Sequence, residues 1–516
     1  MLNNVKDAPF NAKGDGVTND GDAIQRAVTD AISKNKGGIF FPAGTYRVSK
    51  VGQSSIELDG VEDFMVTGEG PKSVVKQVDT TQATGAWSVF QLQNNCRRIV
   101  FKDLVIDGNR TGLTMPDEQS HGIAVNPGTE DLVVDRCILR ECFGDGIKLL
   151  GAIDDKPIGN AKRLRIENCL FQKNKRSGLA IQRAVEQVII SNCIFDETLN
   201  DQSIDFEPTG LDGPNDLIIQ GCLIKHTNGA AAVTLSGIGG KNPLLRCKFS
   251  NNLVLGGQIF CTDIQQLTFQ NNTVFSANRT PLALHLSGDM VAITGNLLVN
   301  DSMEEGSVIS LTEANQRQVT RALITNNLCV LRVGIGIHCR SSDDVAIEGN
   351  MIVATGACTK GIFLHSENSS MNNLSVRNND ILVKGAGTWT SGIHLRSAAN
   401  NPIHHFSVIG NSVNSAKSGI VFENKGFTQI PMCSLNRIGD NVTSKLVGIE
   451  NLPSASMVVS GAVSVGAGRF LTGLGDPNNK VVGNIGDLFQ RLDGGSKSTL
   501  YVKEKENGTN TGWVAK

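Results

Sequence analysis

Four things are scarce in this chain, and each shortage removes a class of protein. No apolar run approaches the roughly 20 residues of a membrane-spanning helix, so membrane insertion is not expected. The formal net charge is only −2, which argues against a nucleic-acid partner that needs a broad basic surface. The twelve cysteines contain no CxxC pair and no zinc-type spacing, so no structural metal site is expected. Aromatic residues are 5% of 516 positions, against 56 glycines and abundant Asn. Gly and Asn tolerate positive φ, so this mixture fits many short strands joined by tight turns. Hydrophobic content of 40% supplies a sizeable core. The opening MLNNVKDAPF is too polar for a secretory leader, so cytoplasmic synthesis without a signal peptide is expected, with the cysteines reduced.

What is present is a repeat. Two short segments alternate from about residue 120 to about residue 425. The first runs small, apolar, variable, apolar: Gly122-Ile123-Ala124-Val125, Gly146-Ile147-Lys148-Leu149, Gly178-Leu179-Ala180-Ile181, Ser203-Ile204-Asp205-Phe206, and later Gly336-Ile337-His338-Cys339 and Gly392-Ile393-His394-Leu395. The second ends in Asn-Cys or Gly-Asn before an apolar pair, as at Asn168-Cys169 and Gly349-Asn350. Starts recur every 24 to 32 residues, a solenoid period, and period-two alternation means strands. One coil cannot bury its inward side chains. Coils stacked in parallel register, about 4.8 Å apart, can. The expected fold is therefore all-β: a right-handed single-stranded parallel β-helix. In its second segment Cys137, Cys169, Cys193 and Cys222 give way to Asn296, Asn327, Asn350, Asn379 and Asn411, an expected internal amide ladder.

The open ends need caps. Residues 20–34 show helical periodicity, with Ala23, Ile24, Ala27, Val28, Ala31 and Ile32 as one stripe, so residues 1–48 are expected to form an N-terminal capping segment. Residues 49–452 are the expected β-helix and 453–516 a small C-terminal β module. The stretch NAKGDGVTND at 11–20, with FPAGTY at 41–46, resembles the opening of the pectate-lyase superfamily. The resemblance covers residues 5–49 and implies a right-handed β-helix with a carbohydrate theme. The run GNIGDLFQRLDGG from 483, STLYVK from 498 and GWV from 512 resemble the terminal module of phage tail and tailspike proteins. That implies a homotrimer at a virion tail or outside the cell. Tailspikes usually carry an N-terminal virion-binding domain, and here the capping segment comes almost first.

Variable positions of the first segment point outward and stack into columns. One column reads Ala124, Lys148, Ala180, Asp205, Thr234, Phe260, His285, Ser310, His338, Phe363, His394, Val421. The other includes Gln182, Glu207, Arg340, His365, Arg396 and Glu423. Asp205 and Glu207 share a strand, with Cα atoms roughly 6.5–7 Å apart, and glycoside hydrolysis uses one protonated and one ionised carboxyl. They are the expected catalytic pair, with Lys148, Gln182 and Arg183 as neighbours that bind substrate. His285, His338, His365 and His394, half of the chain's eight histidines, join Arg340 and Arg396 as a second cluster suited to acidic sugars, or to elimination with His as base. Phe260, Phe363 and Trp389 are expected to stack on sugar rings.

Family motifs help mostly by absence. The Asp-Pro-His-Glu run of mannuronan epimerases is missing. Residues 200–205 (NDQSID) are similar to the Asn-Thr-Asp-Gly-Ile-Asp of polygalacturonases, but Gln202 stands where that family has an essential Asp. No cofactor is expected; Asp154-Asp155 and Asp343-Asp344 are weak calcium candidates. The leading expectation is a tailspike-type enzyme that hydrolyses a bacterial surface polysaccharide. Its rivals are a lyase or epimerase acting on a uronate glycan, and an adhesin that grips a glycan without cutting it.

Overall fold

The computed structural model describes every residue except 50–53, 84–86, 116, 153–158, 208–213, 228, 230, 238–241, 278–279, 314–316, 399, 425, 429–431, 449–461 and 466–467. The fold is a right-handed parallel β-helix. The chain forms two compact units: residues 1–292 with 296–299, and residues 293–295 with 300–516.

In the first unit each coil contributes three strands. Ile147–Leu150, Lys162–Glu167 and Leu170–Gln172 form one coil; Leu179–Gln182, Glu186–Ser191 and Ile194–Asp196 form the next. All pair in parallel with their equivalents. The second sequence segment is thus two strands split by a corner. Asn168 and Asn192 take left-handed φ of 56° and 53° at that corner, and the residue after each, Cys169 or Cys193, turns inward. This geometry is why Asn precedes Cys: Asn adopts the left-handed region readily. Inward pairs such as Ile147/Leu149, Leu179/Ile181 and Ile204/Phe206 are buried. Phe171 and Phe195 stack with centroids 4.6 Å apart, a contact worth about 0.5–1.5 kcal/mol beyond area burial.

Helix α1, Gly21–Ser33, buries Ala23, Ile24, Ala27, Val28 and Ala31 against strands Gly38–Phe41 and Ser54–Asp59. Ile32 departs from the expected stripe: it is 43% exposed.

The second unit is also built of three-strand coils. Gly334–Arg340, Ala357–Ser366, Thr388–Ser397 and Ala416–Glu423 form its outward-facing ladder. The amide ladder is present in both units. In the first, Asn252, Asn272 and Asn296 link in turn, Asn272 N–H to Asn296 Oδ1 at 2.8 Å. In the second, Asn327, Asn350, Asn379, Asn411 and Asn436 do the same. Residues 462–515 give a five-stranded sheet, mostly antiparallel, over a core of Leu471, Val481, Phe489, Tyr501 and Trp513.

Candidate active site

The outward columns have the register expected from the sequence. Ala124, Lys148, Ala180, Asp205 and Thr234 are successive partners, and Gln182 opposes Glu207. Ala180 is small, which leaves room beside Asp205.

The two carboxyls meet more closely than their Cα spacing implied. Asp205 and Glu207 hydrogen-bond to each other, which brings the two carboxyls together. Burial, first, and the Glu207 charge, second, push the Asp205 carboxyl up to about 8. Only 6% of Asp205 is exposed. Glu207 is anchored on the other side: Arg176 Nη2 donates to its Oε2 at 2.8 Å and Gln182 Nε2 donates to the same oxygen.

Arg176 was not anticipated, nor were His121 and Asp145. Arg176 Nε lies 3.3 Å from Asp145 Oδ1, which also accepts the Ser177 N–H at 3.1 Å. The Asp145 N–H donates to His121 Nδ1 at 3.1 Å. Burial holds the His121 imidazole below its usual pKa. All three precede the glycine that opens a first segment, at His121-Gly122, Asp145-Gly146 and Arg176-Ser177-Gly178. That recurring offset was the available signal. Lys148 donates from Nζ to Gln119 Oε1 at 2.8 Å, and burial lowers its pKa. Arg183 sits in a left-handed turn after strand Leu179–Gln182 and acts electrostatically on Lys148. Burial also raises the carboxyl of Asp201.

His285 belongs to the first unit, with its ring centroid 6.1 Å from that of Phe260. The rest of the expected second cluster lies in the second unit. There His338 and His365 each stack on Phe363, at 5.0 and 5.2 Å, and His394 meets the same ring edge-on. Arg340, His365 and Arg396 are successive partners in one column. His394 Nε2 is 2.8 Å from Glu423 Oε2, Arg396 Nε 3.3 Å from Glu423 Oε1, and Arg340 Nη1 3.3 Å from Glu367.

Two of the expected stacking rings are covered. Trp389 is 2% exposed, and its indole N–H donates to Leu382 O. It lies in phase with Ile393 and Leu395 on strand Thr388–Ser397, so it is a core side chain and not a sugar platform. Phe363 is 6% exposed because the histidines and the Lys360 ammonium surround it. Of the calcium candidates, Asp343 and Asp344 accept hydrogen bonds from Asn372 and Asn373; Asp154-Asp155 lies outside the described residues. Among the described residues no group of three or more His, Cys, Asp or Glu is placed to hold a metal ion, and no helix is long and apolar enough to cross a membrane.

Residues 2–239 match the family model described as rhamnogalacturonase A/epimerase, pectate lyase-like, and residues 210–350 match that of the right-handed β-helix region. The fold is that of right-handed β-helix proteins, and the first part of the chain matches a pectate lyase-like family model. Among curated relatives, mannuronan C5-epimerase AlgE1 of Azotobacter vinelandii is 30% identical over 221 residues, 37% of this chain. Alginate lyase 7 of the same organism is 37% identical over 119 residues, 21% of this chain. The matches span only 15% and 13% of those proteins' own lengths. Among solved structures, the A-module of Azotobacter vinelandii mannuronan C-5 epimerase AlgE6 superposes with a TM-score of 0.55 at 17% identity, over 85% of this chain and 99% of that one. That likeness concerns the fold.

Proposed function

We propose that the chain is an enzyme that cleaves an acidic polysaccharide laid across the outward face of its first unit, with Asp205 as proton donor to the departing glycosidic oxygen. The Asp205–Glu207 contact carries this reading. A carboxyl that keeps its proton to about pH 8 is loaded at neutral pH, and Glu207 stands beside it as the second carboxyl. Contact also puts acid and base on one side of the sugar chain. Inverting hydrolysis uses carboxyls roughly 6.5–9.5 Å apart with a water between them, which a hydrogen-bonded pair does not favour. Elimination across one ring face suits a pair in contact. Glu207 takes the proton beside the uronate carboxylate, Asp205 protonates the leaving oxygen, and the C–O bond breaks as the C=C bond forms. An alginate lyase among the relatives supports elimination, and the missing Asp-Pro-His-Glu run weighs against epimerisation.

Hydrolysis is the second reading. Asp201 favours it, as a third carboxyl that feels Glu207 and is raised by burial. Incubation with alginate, polygalacturonate and bacterial capsules separates the two. Elimination yields an ultraviolet-absorbing unsaturated end, whereas hydrolysis yields products one water heavier. If Asp205→Asn and Glu207→Gln both depolymerise at full rate, the catalytic reading fails. If the unaltered chain binds a capsule and never shortens it, the protein is an adhesin. The resemblance of residues 483–514 to tailspike termini further supports a trimeric, tailspike-type depolymerase at the virion tail or outside the cell, which light scattering on the full chain tests through its mass.

A further inference from the structure

In the first unit the third strand of each coil turns an apolar edge to water. Its inward residues are buried, Phe171, Phe195 and Ile224 among them, so the residues on either side of them point outward. Ile138, Leu170, Ile194, Leu223 and Leu253 are successive partners at the outward position that opens this strand. Five coils in a row thus present an aliphatic side chain there and no polar one. Ile194 is 41% exposed and Leu253 37%; the other three are partly exposed. From the fifth coil the strip widens into the next column with Leu255 and its partner Phe275, the latter 41% exposed. On the second strand the outward column Val133, Arg165, Ile189, Ile218 and Lys248 is broken twice by a cation.

We infer that a second copy of this chain packs on the strip, third strands against third strands. The charges beside it suit a face that meets itself. In the neighbouring column Arg140 Nε lies 2.9 Å from Asp107 Oδ2, and Lys225 Nζ 3.3 Å from Asp196 Oδ1. Identical copies bring identical charges, and like charges opposed across an interface are costly; here each is already matched within its own chain. Five coils about 4.8 Å apart and two columns wide give a footprint on the order of 300 Å². A stable interface takes about 800 Å² from each partner, as an apolar core inside a polar rim. The strip has the extent of such a core, and the paired charges have the place of its rim. A glycan finds no hydrogen-bonding side chain in the aliphatic column. Periodicity favours a copy over a foreign protein. In a ring of identical chains whose axis runs along the strip, each coil meets its equivalent at the same height, so two ladders of ridges with equal spacing engage along their length. The inference goes beyond the cleavage reading and stands without it.

Light scattering and sedimentation of the full chain at several concentrations read its mass. The unaltered chain should weigh a whole multiple of 55.0 kDa, and the double variant Ile194→Glu/Leu253→Glu should fall to one chain with its circular dichroism unchanged. Leu323→Glu, 44% exposed on a second strand of the other unit, should keep the mass of the unaltered chain. Because the twelve native cysteines are buried, Leu253→Cys supplies one accessible thiol. A short bismaleimide should join two chains through it, and should not through Leu323→Cys. The inference is overturned if the unaltered chain is monomeric, or if its oligomer survives the double variant. Should the double variant not fold, it is overturned if Leu253→Cys links chains no better than Leu323→Cys. Polysaccharide cleavage enters none of these measurements, so a chain that never cuts leaves the contact face standing, and a monomer that cuts leaves the cleavage reading standing.

Discussion

Asp205 and Glu207 leave one face of strand Ile204–Glu207 and hydrogen-bond carboxyl to carboxyl, while Arg176 and Gln182 hold the outer oxygen of Glu207. The proton therefore rests on the more buried member. This fixes the pH behaviour of the reaction. An acid that loses its proton near pH 8 should give a kcat/KM that is level through neutrality and falls above about pH 8. Glu207→Gln removes the second-largest cause of the shift and leaves burial, the largest, in place. Its residual activity, lower by about 10²–10⁴, should fall off at a lower pH, still above the ordinary carboxylate range. A descending limb that does not move in this variant would separate Asp205 from the observed pH dependence.

The same shift bears on stability with the opposite consequence. The folded pKa of Asp205 lies above its unfolded value of 3.8, so the folded state holds the proton more tightly than the unfolded chain does. Its contribution is complete below about pH 4 and is lost as pH rises towards 8. The unaltered chain should melt at progressively lower temperature over that window. Asp205→Asn should flatten this dependence and melt higher than the unaltered chain at pH 8. Scanning calorimetry at several pH values checks it, and equal slopes for both proteins would contradict it.

Much of this site was legible because a one-residue slip in register would turn every inward side chain out. The alternation of Ile147, Leu149, Leu179, Ile181, Ile204 and Phe206 therefore aligns Lys148, Ala180 and Asp205 from the sequence alone. His121, Asp145 and Arg176 were not legible in that way. Asp145 and Arg176 occupy the bends that lead into strands, where period two does not govern direction, and His121 lies at the start of strand Ser120–Val125, ahead of the repeat's small residue. The carboxyl contact was missed for a related reason: strand rise gives Cα spacing, and side-chain torsions decide where the oxygens go.

Trp389 was misplaced for want of extending the strand far enough, and its correction can be tested. With the indole buried and bonded to Leu382 O, Trp389→Phe should leave polysaccharide affinity unchanged and cost about 1–3 kcal/mol of stability. Arg340→Ala, on the outward column of the second unit, should cost less stability than that, because Arg340 and its partner Glu367 are partly exposed. A loss of glycan binding in Trp389→Phe, with unchanged melting, would return the tryptophan to the surface role.

The amide ladder makes a demand that a turn preference alone would not. Asn350 Oδ1 accepts both the backbone N–H and the side-chain Nδ2 of Asn327. Its own Nδ2 donates to Ile324 O and to Asn379 Oδ1. Truncation to Ala strands the buried N–H of Asn327 and deprives the Ile324 carbonyl, both in the preceding coil, at about 1–3 kcal/mol each. Asn350→Cys should not rescue the loss, although Cys fills this position in earlier coils. At the join between the two ladders the backbone N–H of Cys222 bonds to Asn252 Oδ1, so each amide oxygen serves the preceding coil, and a thiol replaces it poorly. Asn378, exposed and left-handed at φ 52°, should tolerate Gly to within about 0.5 kcal/mol. Denaturant midpoints for the three variants rank the two causes. If Asn378→Gly is as damaging as Asn350→Ala, turn conformation and not the ladder keeps asparagine in these coils.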